Sequence, residues 1–162
     1  MGEYWRSDAD ERTPLGHLVH ALKDQRRHEV IPELETRLFE WWPTLRLPRT
    51  VLLVPVTPSP DRPAPQTAEL YRRLATRLGL ESSDAIERRS PTPRLRDLEP
   101  DERPGEAVAG DYRVVAEVAD RHVVLIDDVV VTETTLRHVG SVVRAAGAGH
   151  VTGIALARSR RG

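Results

Sequence analysis

Apolar residues recur at helical spacing in the first third of the chain. Residues 14–25 carry one such face, with Thr13 placed as the N-cap and Pro14 at the first helical position. A second face runs over residues 31–42 and stops before Pro43. We therefore predict a helical N-terminal segment, residues 13–42. The Trp41 and Trp42 pair is expected to pack in the core or in a contact between two copies of the chain, which leaves a homodimer open.

Continuous apolar runs predict buried strands in the remainder. Residues 50–56, 122–126 and 151–157 lack polar alternation, as strands covered on both faces do. Helices are predicted at 65–78, closing at Gly79, and at 134–146. A short strand is predicted at 84–89 and an edge strand in "YRVVAEV". Strands that alternate with helices predict an α/β fold with a mainly parallel sheet flanked by helices, a single domain over residues 1–162 with its core at 50–158.

Residues 90–110, here called the hood loop, interrupt this alternation. The segment "SPTPRLRDLEPDERPGEAVAG" has four prolines, many charges and no periodicity. Loops of this length inside a compact domain are usually functional lids or disordered segments. We therefore expect a long loop here rather than a helix or strand, either a lid or a disordered segment.

Composition excludes several classes of function. The chain has 24 basic and 25 acidic residues, so no net field recruits nucleic acid or an anionic membrane. The absence of cysteine excludes disulfides and thiol catalysis. The charged start of the sequence carries no apolar leader, and no stretch approaches the roughly 18 apolar residues of a membrane span. The expectation is a cytoplasmic protein.

Two adjacent carboxylates follow the predicted strand at 122–126. In parallel sheets, ligands bind outside the carboxyl ends of the strands, where Asp127 and Asp128 are expected beside Pro55, Val56 and Thr57. Carboxylates accept hydrogen bonds from vicinal hydroxyls or hold magnesium through water. This acid pair therefore predicts a site for a sugar diol.

The residues after the acid pair suit an anion. The hydroxyls of Thr132, Thr134 and Thr135 and the first backbone N–H groups of the following helix converge on one point, which favours a phosphate. Diol acceptors followed by an anion site predict a ribose 5-phosphate site. Two other interpretations stay open: a strand end capped by solvated acids, and a receiver-like phospho-acceptor site, although the sequence lacks that site's companion acids and late lysine.

The stretch "VVLIDDVVVTETTL" resembles the phosphoribosyl pyrophosphate signature of type I phosphoribosyltransferases. The pattern is most similar to ComF-like, competence-associated phosphoribosyltransferases, because the resemblance continues along most of the chain. It includes "HALKDQRR", "VPV", "QTAELYRRLATRLGL", "RPGEAVAGDYRV" and "VVRAAGAGHVTGIALARS".

The resemblance implies roles for particular residues. Asp127 and Asp128 would be catalytic, binding the ribose hydroxyls and Mg2+ through water or substrate. The loop around the 5-phosphate would consist of Val131, Thr132, Glu133, Thr134 and Thr135. The pyrophosphate would lie near Pro55, Val56 and Thr57, where the family often holds a strained peptide. The hood loop would neutralise phosphate charge with Arg94, Arg96 and Arg103, and Lys23 matches a family lysine.

The sequence departs from the family pattern at three places. Val131 stands where the family has a hydroxyl, Glu133 where it has glycine, and "PSPDRPAPQ" lacks the arginine-glycine-aromatic-asparagine run before Gln66. Glu133 either opposes a phosphate or occupies its place at the helix N-terminus. The implied function is transfer of ribose 5-phosphate from phosphoribosyl pyrophosphate to a nitrogenous acceptor. The alternative is a catalytically silent protein of that fold that binds a nucleotide or regulates, with a link to DNA uptake.

Overall fold

The computed structural model describes residues 13–58, 60, 63–89, 112–130 and 133–158, together with the backbone of residues 2–3. The helices are α1 (Pro14–Lys23), α2 (Ile31–Trp41), α3 (Pro65–Leu78) and α4 (Thr134–Ala145), with 3-10 turns at His28–Val30 and Trp42–Leu45. The strands are β1 (Gly2–Glu3), β2 (Val51–Pro55), β3 (Glu81–Ser82), β4 (Ile86–Arg88), β5 (Tyr112–Val114), β6 (His122–Val130) and β7 (His150–Arg158). The hood loop lies outside the described residues.

Five strands form one parallel sheet in the order β1-β7-β6-β2-β3. Its centre is β6, in which His122 lies opposite Val51 of β2 and opposite His150 of β7. The predicted α/β class and the predicted parallel neighbours β2, β6 and β7 are confirmed. Strand β1 was not predicted.

Strands β4 and β5 form a separate antiparallel pair, with Ile86 opposite Val114. The sequence predicted both segments as strands, but not that they pair with each other apart from the main sheet. Both strands are only three residues long, and Ile86 and Tyr112 face the core while Arg113 faces solvent. Local apolar content located these strands, whereas the choice of sheet depended on partners far away in the sequence.

Local chemistry explains the helix ends. The Thr13 hydroxyl accepts a hydrogen bond from the Gly16 N–H at 3.0 Å, as an N-cap does. Helix α3 ends at Gly79, whose left-handed φ of 66° lets its N–H turn back to the Ala75 and Thr76 carbonyls. The predicted ends of α1, α2 and α4 differ from the observed ones by one or two residues, because terminal turns fray.

Apolar side chains fill both faces of the sheet. On one face, helices α1, α2 and α3 cover Leu53, Val124 and Ile126; on the other, α4 and the β4-β5 pair cover Leu52 and Leu125. Each fully buried side chain of this size contributes roughly 1.5 to 3 kcal/mol of transfer free energy. Trp42 is buried in the first of these cores and Trp41 packs partly against it. Within the described part of the chain, no helix has the length and apolarity of a membrane span.

Candidate functional site

The acid pair lies inside β6 rather than beyond its end. Strand β7 accompanies β6 as far as Val130, which lies opposite Arg158. Strand β2 stops earlier, at Pro55 opposite Ile126, and the Val56 N–H makes the last bond on that side, to the Ile126 carbonyl at 2.9 Å. The prediction that the strand ends before the acids is therefore wrong, because pairing with β7 holds the charged residues extended. Past Pro55, the β6 edge that carries the acid pair has no β2 partner.

The two acids lie close enough together that the Asp128 carboxylate helps to raise the pKa of Asp127. Asp128 lies toward α1, where its Oδ1 accepts from the Lys23 ammonium at 2.7 Å. Burial raises the pKa of Tyr112, an effect that Arg88 opposes and Asp127 reinforces, so Asp127 is also within electrostatic reach of β5. Each carboxylate also accepts from the next backbone N–H, Asp127 from Asp128 at 2.8 Å and Asp128 from Val129 at 2.6 Å. These bonds fix both side chains at the open edge.

Charge is distributed unequally over this pair. Burial, together with the Asp128 carboxylate, raises the pKa of Asp127 to about 7. Burial alone would lower the pKa of Lys23, but Asp128 outweighs it, so the pKa of Lys23 is raised. Near neutral pH, Asp127 therefore exchanges a proton readily. Such a pair both accepts and donates hydrogen bonds, which suits a ligand with hydroxyl groups.

Three buried polar side-chain atoms of α3 have no hydrogen-bond partner among the described residues. They are Gln66 Oε1, Thr67 Oγ1 and the Tyr71 hydroxyl, all on α3. Burial, followed by the charges of Asp128 and Asp127, raises the pKa of Tyr71 well above its ordinary value. Gln66 Nε2 donates to the Lys23 carbonyl at 3.4 Å. Buried polar groups are normally satisfied, so these atoms indicate a place for water or ligand.

Helix α4 begins just after the acid pair. Its N-cap is Glu133, which makes no side-chain cap hydrogen bond and instead accepts from Arg137, with Nη2 at 2.7 Å and Nε at 3.2 Å. Thr134 and Thr135 are half-buried in the first turn. Arg137 thus holds the Glu133 carboxylate on the exposed side of the helix. Val131 and Thr132 lie outside the described residues, so the predicted phosphate loop stays a prediction.

The end of β2 reaches the same edge of the sheet. Pro55 closes the strand, Val56 bonds to β6, and the Thr57 hydroxyl donates to the Ile86 carbonyl. Among the described residues there is no cis peptide, and left-handed non-glycine residues occur only at Arg26, Arg46 and Asp120. The strained peptide implied for 55–57 is therefore not found there.

The acid pair alone does not fit a resident magnesium site. Its carboxylate oxygens have suitable chemistry, since Mg2+ prefers oxygen ligands. However, Asp128 already has the Lys23 ammonium as its counter-ion, with Nζ 2.7 Å from Oδ1. No group of three or more histidine, cysteine or acidic residues with metal-site geometry occurs in the part of the chain that is described.

No protein-family model and no curated protein matches this sequence. Among solved structures, the chain is similar to a purine phosphoribosyltransferase from Pyrococcus horikoshii Ot3, with 18% identity, 89% of this chain and 73% of that one covered, and a TM-score of 0.44. It is also similar to a hypoxanthine phosphoribosyltransferase of Trypanosoma cruzi, with 14% identity, 87% and 71% coverage and a TM-score of 0.48. A hypoxanthine phosphoribosyltransferase from Staphylococcus aureus gives 12% identity, 79% and 62% coverage and a TM-score of 0.48. The chain thus spans 62% of the length of that last protein. All three similarities are at identities below 20%.

Sequence reasoning named the acid pair but missed what surrounds it. The hood arginines Arg94, Arg96 and Arg103 lie outside the described residues. The partner of Asp128, which is Lys23, lies 105 residues earlier in the chain. A usable signal existed in α3, where Gln66, Thr67 and Tyr71 interrupt the buried stripe formed by Leu70 and Leu74. Polar residues on a core-facing stripe indicate a polar site beneath the helix.

Proposed function

We propose that the chain is a phosphoribosyltransferase that binds the ribose 5-phosphate part of phosphoribosyl pyrophosphate. A nitrogenous acceptor would take the ribosyl carbon, and pyrophosphate would leave. The observation that carries the proposal is the acid pair on the stretch of β6 left open by β2. This stretch leads within six residues into the N-terminus of α4.

The acid pair supplies the diol site. Asp127 and Asp128 accept hydrogen bonds from the two ring hydroxyls, and the protonated form of Asp127 can also donate one. Their negative charge stabilises positive charge that develops at the neighbouring ribosyl carbon. The chemistry needs no nucleophilic side chain.

The start of α4 supplies the phosphate site. Its first backbone N–H groups have no acceptor within the helix, and the helix dipole favours an anion there. Glu133, which replaces the family's glycine, does not block this position, because Arg137 draws its carboxylate to the surface. Thr134 and Thr135 stand in the first turn, and Val131 and Thr132 would complete the loop.

The leaving group would lie at the end of β2. Pro55, Val56 and Thr57 share the sheet edge with the acid pair, and hood-loop arginines would neutralise the pyrophosphate and exclude water. A second candidate is a silent binding protein of the same fold. One observation favours it. The Thr57 hydroxyl already donates its proton to the Ile86 carbonyl, so it is not available as a donor to the pyrophosphate.

Calorimetric titration with phosphoribosyl pyrophosphate tests the binding, and a pyrophosphate-release assay over a panel of purine and pyrimidine bases separates the two candidates. Removing both charges with Asp127→Asn and Asp128→Asn should weaken binding by about 100-fold or more, since two charge-assisted hydrogen bonds are lost. A matched control, Glu81→Gln with Asp84→Asn, removes the same charge from an exposed segment and should leave affinity unchanged. Equal affinities in the two double variants would refute the diol role. Binding without release with any base would favour the silent protein.

A further inference from the structure

Lys23 is the only lysine among the 24 lysine and arginine residues of the sequence. It is the last residue of α1, and its Nζ lies 2.7 Å from Asp128 Oδ1. The Asp128 side chain is only 9% exposed, whereas that of Lys23 is 43% exposed. The one side-chain ammonium of this arginine-rich chain therefore lies between a buried acid and solvent.

An ammonium differs from a guanidinium in ways that matter here. It is a compact charge with three donors that point in different directions, whereas guanidinium is a planar fork. Among the described residues, Lys23 Nζ donates only to Asp128. Two donors are therefore available to a ligand that reaches the open edge of β6.

A contact with the backbone of Lys23 fixes the position of this residue. Gln66 Nε2 donates to its backbone carbonyl at 3.4 Å, and Gln66 itself is fully buried. The carboxyl end of a helix also favours a cation. These contacts keep the ammonium at the acid pair and leave Gln66 Oε1 as a buried acceptor without a partner among the described residues.

A divalent ion would compete directly with this arrangement. An ion bound to Asp128 would stand beside the ammonium, and two cations at short range in a site of reduced polarity repel each other. We propose that Lys23 is the resident counter-ion of the acid pair and takes the place of a divalent cation there, so that the site binds its diol phosphate ligand without magnesium. This inference rests on the proposed function.

Calorimetry with ribose 5-phosphate, in EDTA and in magnesium chloride, tests the proposal. The unaltered chain should show affinities within about threefold of each other in the two buffers, because each buffer leaves the ammonium in place. Lys23→Met should weaken binding in EDTA by about 10-fold to 100-fold, the effect of a lost charge-assisted hydrogen bond, and magnesium should restore part of it. The matched control is Arg27→Met, which removes an exposed cation four residues away and should behave like the unaltered chain.

A second measurement does not depend on how the methionine variant folds. Incorporation of lysine labelled with 13C at Cε labels Lys23 alone, since the sequence has no other lysine, and it leaves all three N–H donors in place. The Lys23 Cε resonance should shift when ribose 5-phosphate is added in EDTA, and magnesium chloride alone should leave it in place. A shift caused by magnesium alone would mean that the ion displaces the ammonium, and the proposal would be wrong.

The outcomes distinguish a failure of the proposed role of Lys23 from a failure of the proposed function. Binding of ribose 5-phosphate only in magnesium would overturn the role of Lys23 and leave the proposed function standing. Equal affinities of the parent and Lys23→Met in EDTA would also overturn the role of Lys23 and leave the proposed function standing. Absence of binding in both buffers, with the resonance unmoved, would overturn the proposed function and this inference together.

Discussion

The polar residues at the two ends of β6 have different surroundings. At the amino end, β6 lies between β2 and β7; His122 Nε2 is 2.9 Å from Thr152 Oγ1, and Arg121 pairs with Glu81 at 2.7 Å. At the carboxyl end β2 has stopped, and the acid pair lies close to buried atoms without partners among the described residues. Polar groups with partners at one end of the strand are typical of structure, whereas buried polar groups without partners beside an acid of raised pKa, Asp127, indicate a site.

The pH dependence of folding should show this contrast most strongly. The pKa of Asp127 rises from 3.8 to about 7 on folding, so between these values the folded chain binds more protons than the unfolded chain. The contribution of Asp127 to the free energy of unfolding therefore decreases as pH rises from about 4 to about 7, by a few kcal/mol in order of magnitude. Denaturant melts at several pH values should show this decrease in the parent and a flatter profile in Asp127→Asn. Parallel profiles would contradict it.

Removing the Asp128 carboxylate should lower the free energy of unfolding. The acid is buried and holds the Lys23 ammonium, so Asp128→Asn leaves that charge without its partner. We expect a loss of about 1 to 2 kcal/mol, at the low end for such pairs because Lys23 is 43% exposed. A double-mutant cycle with Lys23→Met measures the coupling. At the amino end, Glu81→Gln should have a smaller effect, since that pair is on the surface. A coupling energy no larger than that between Glu81 and Arg121 would contradict the predicted difference between the two ends of β6.

Hydroxyl removal compares the two ends more directly. Thr152→Val breaks the contact with His122 and should cost about 1 kcal/mol. Tyr71→Phe removes a hydroxyl without a partner among the described residues, so stability should stay within about 0.5 kcal/mol of the parent. Thermal melts of the two variants check this. If Tyr71→Phe is as destabilising as Thr152→Val, the Tyr71 hydroxyl has a partner after all.

The smallest effect is expected at Glu133. Its pair with Arg137 is exposed and four residues apart on one helix, a geometry worth about 0.3 to 0.5 kcal/mol. Because Arg137 holds the carboxylate away from the helix N-terminus, Glu133→Gln should change ribose 5-phosphate affinity by less than about threefold. Calorimetry of this variant distinguishes the alternatives, since a large gain in affinity would show that the carboxylate opposes the phosphate.

The sequence predicted the elements of this fold well and their partners less well. Apolar runs located β2, β6 and β7, and the Thr13 cap and Gly79 located helix ends, since these signals are local. The short strands β4 and β5 were predicted, but their pairing with each other in a separate sheet was not. The acids were placed beyond a strand end because charge commonly ends a strand, whereas β7 continues that strand to Val130.

Sequence by itself determined that two carboxylates precede a helix start within a parallel α/β fold, because periodicity and residue chemistry are written in consecutive positions. Tertiary structure alone decided that Lys23 neutralises Asp128, that Tyr71 lies buried near the pair, and that β2 stops where the pair begins. These contacts join residues far apart in the chain. Burial then decides their electrostatics, since the pKa of a carboxyl group depends on lost water and on neighbouring charges that no local pattern records.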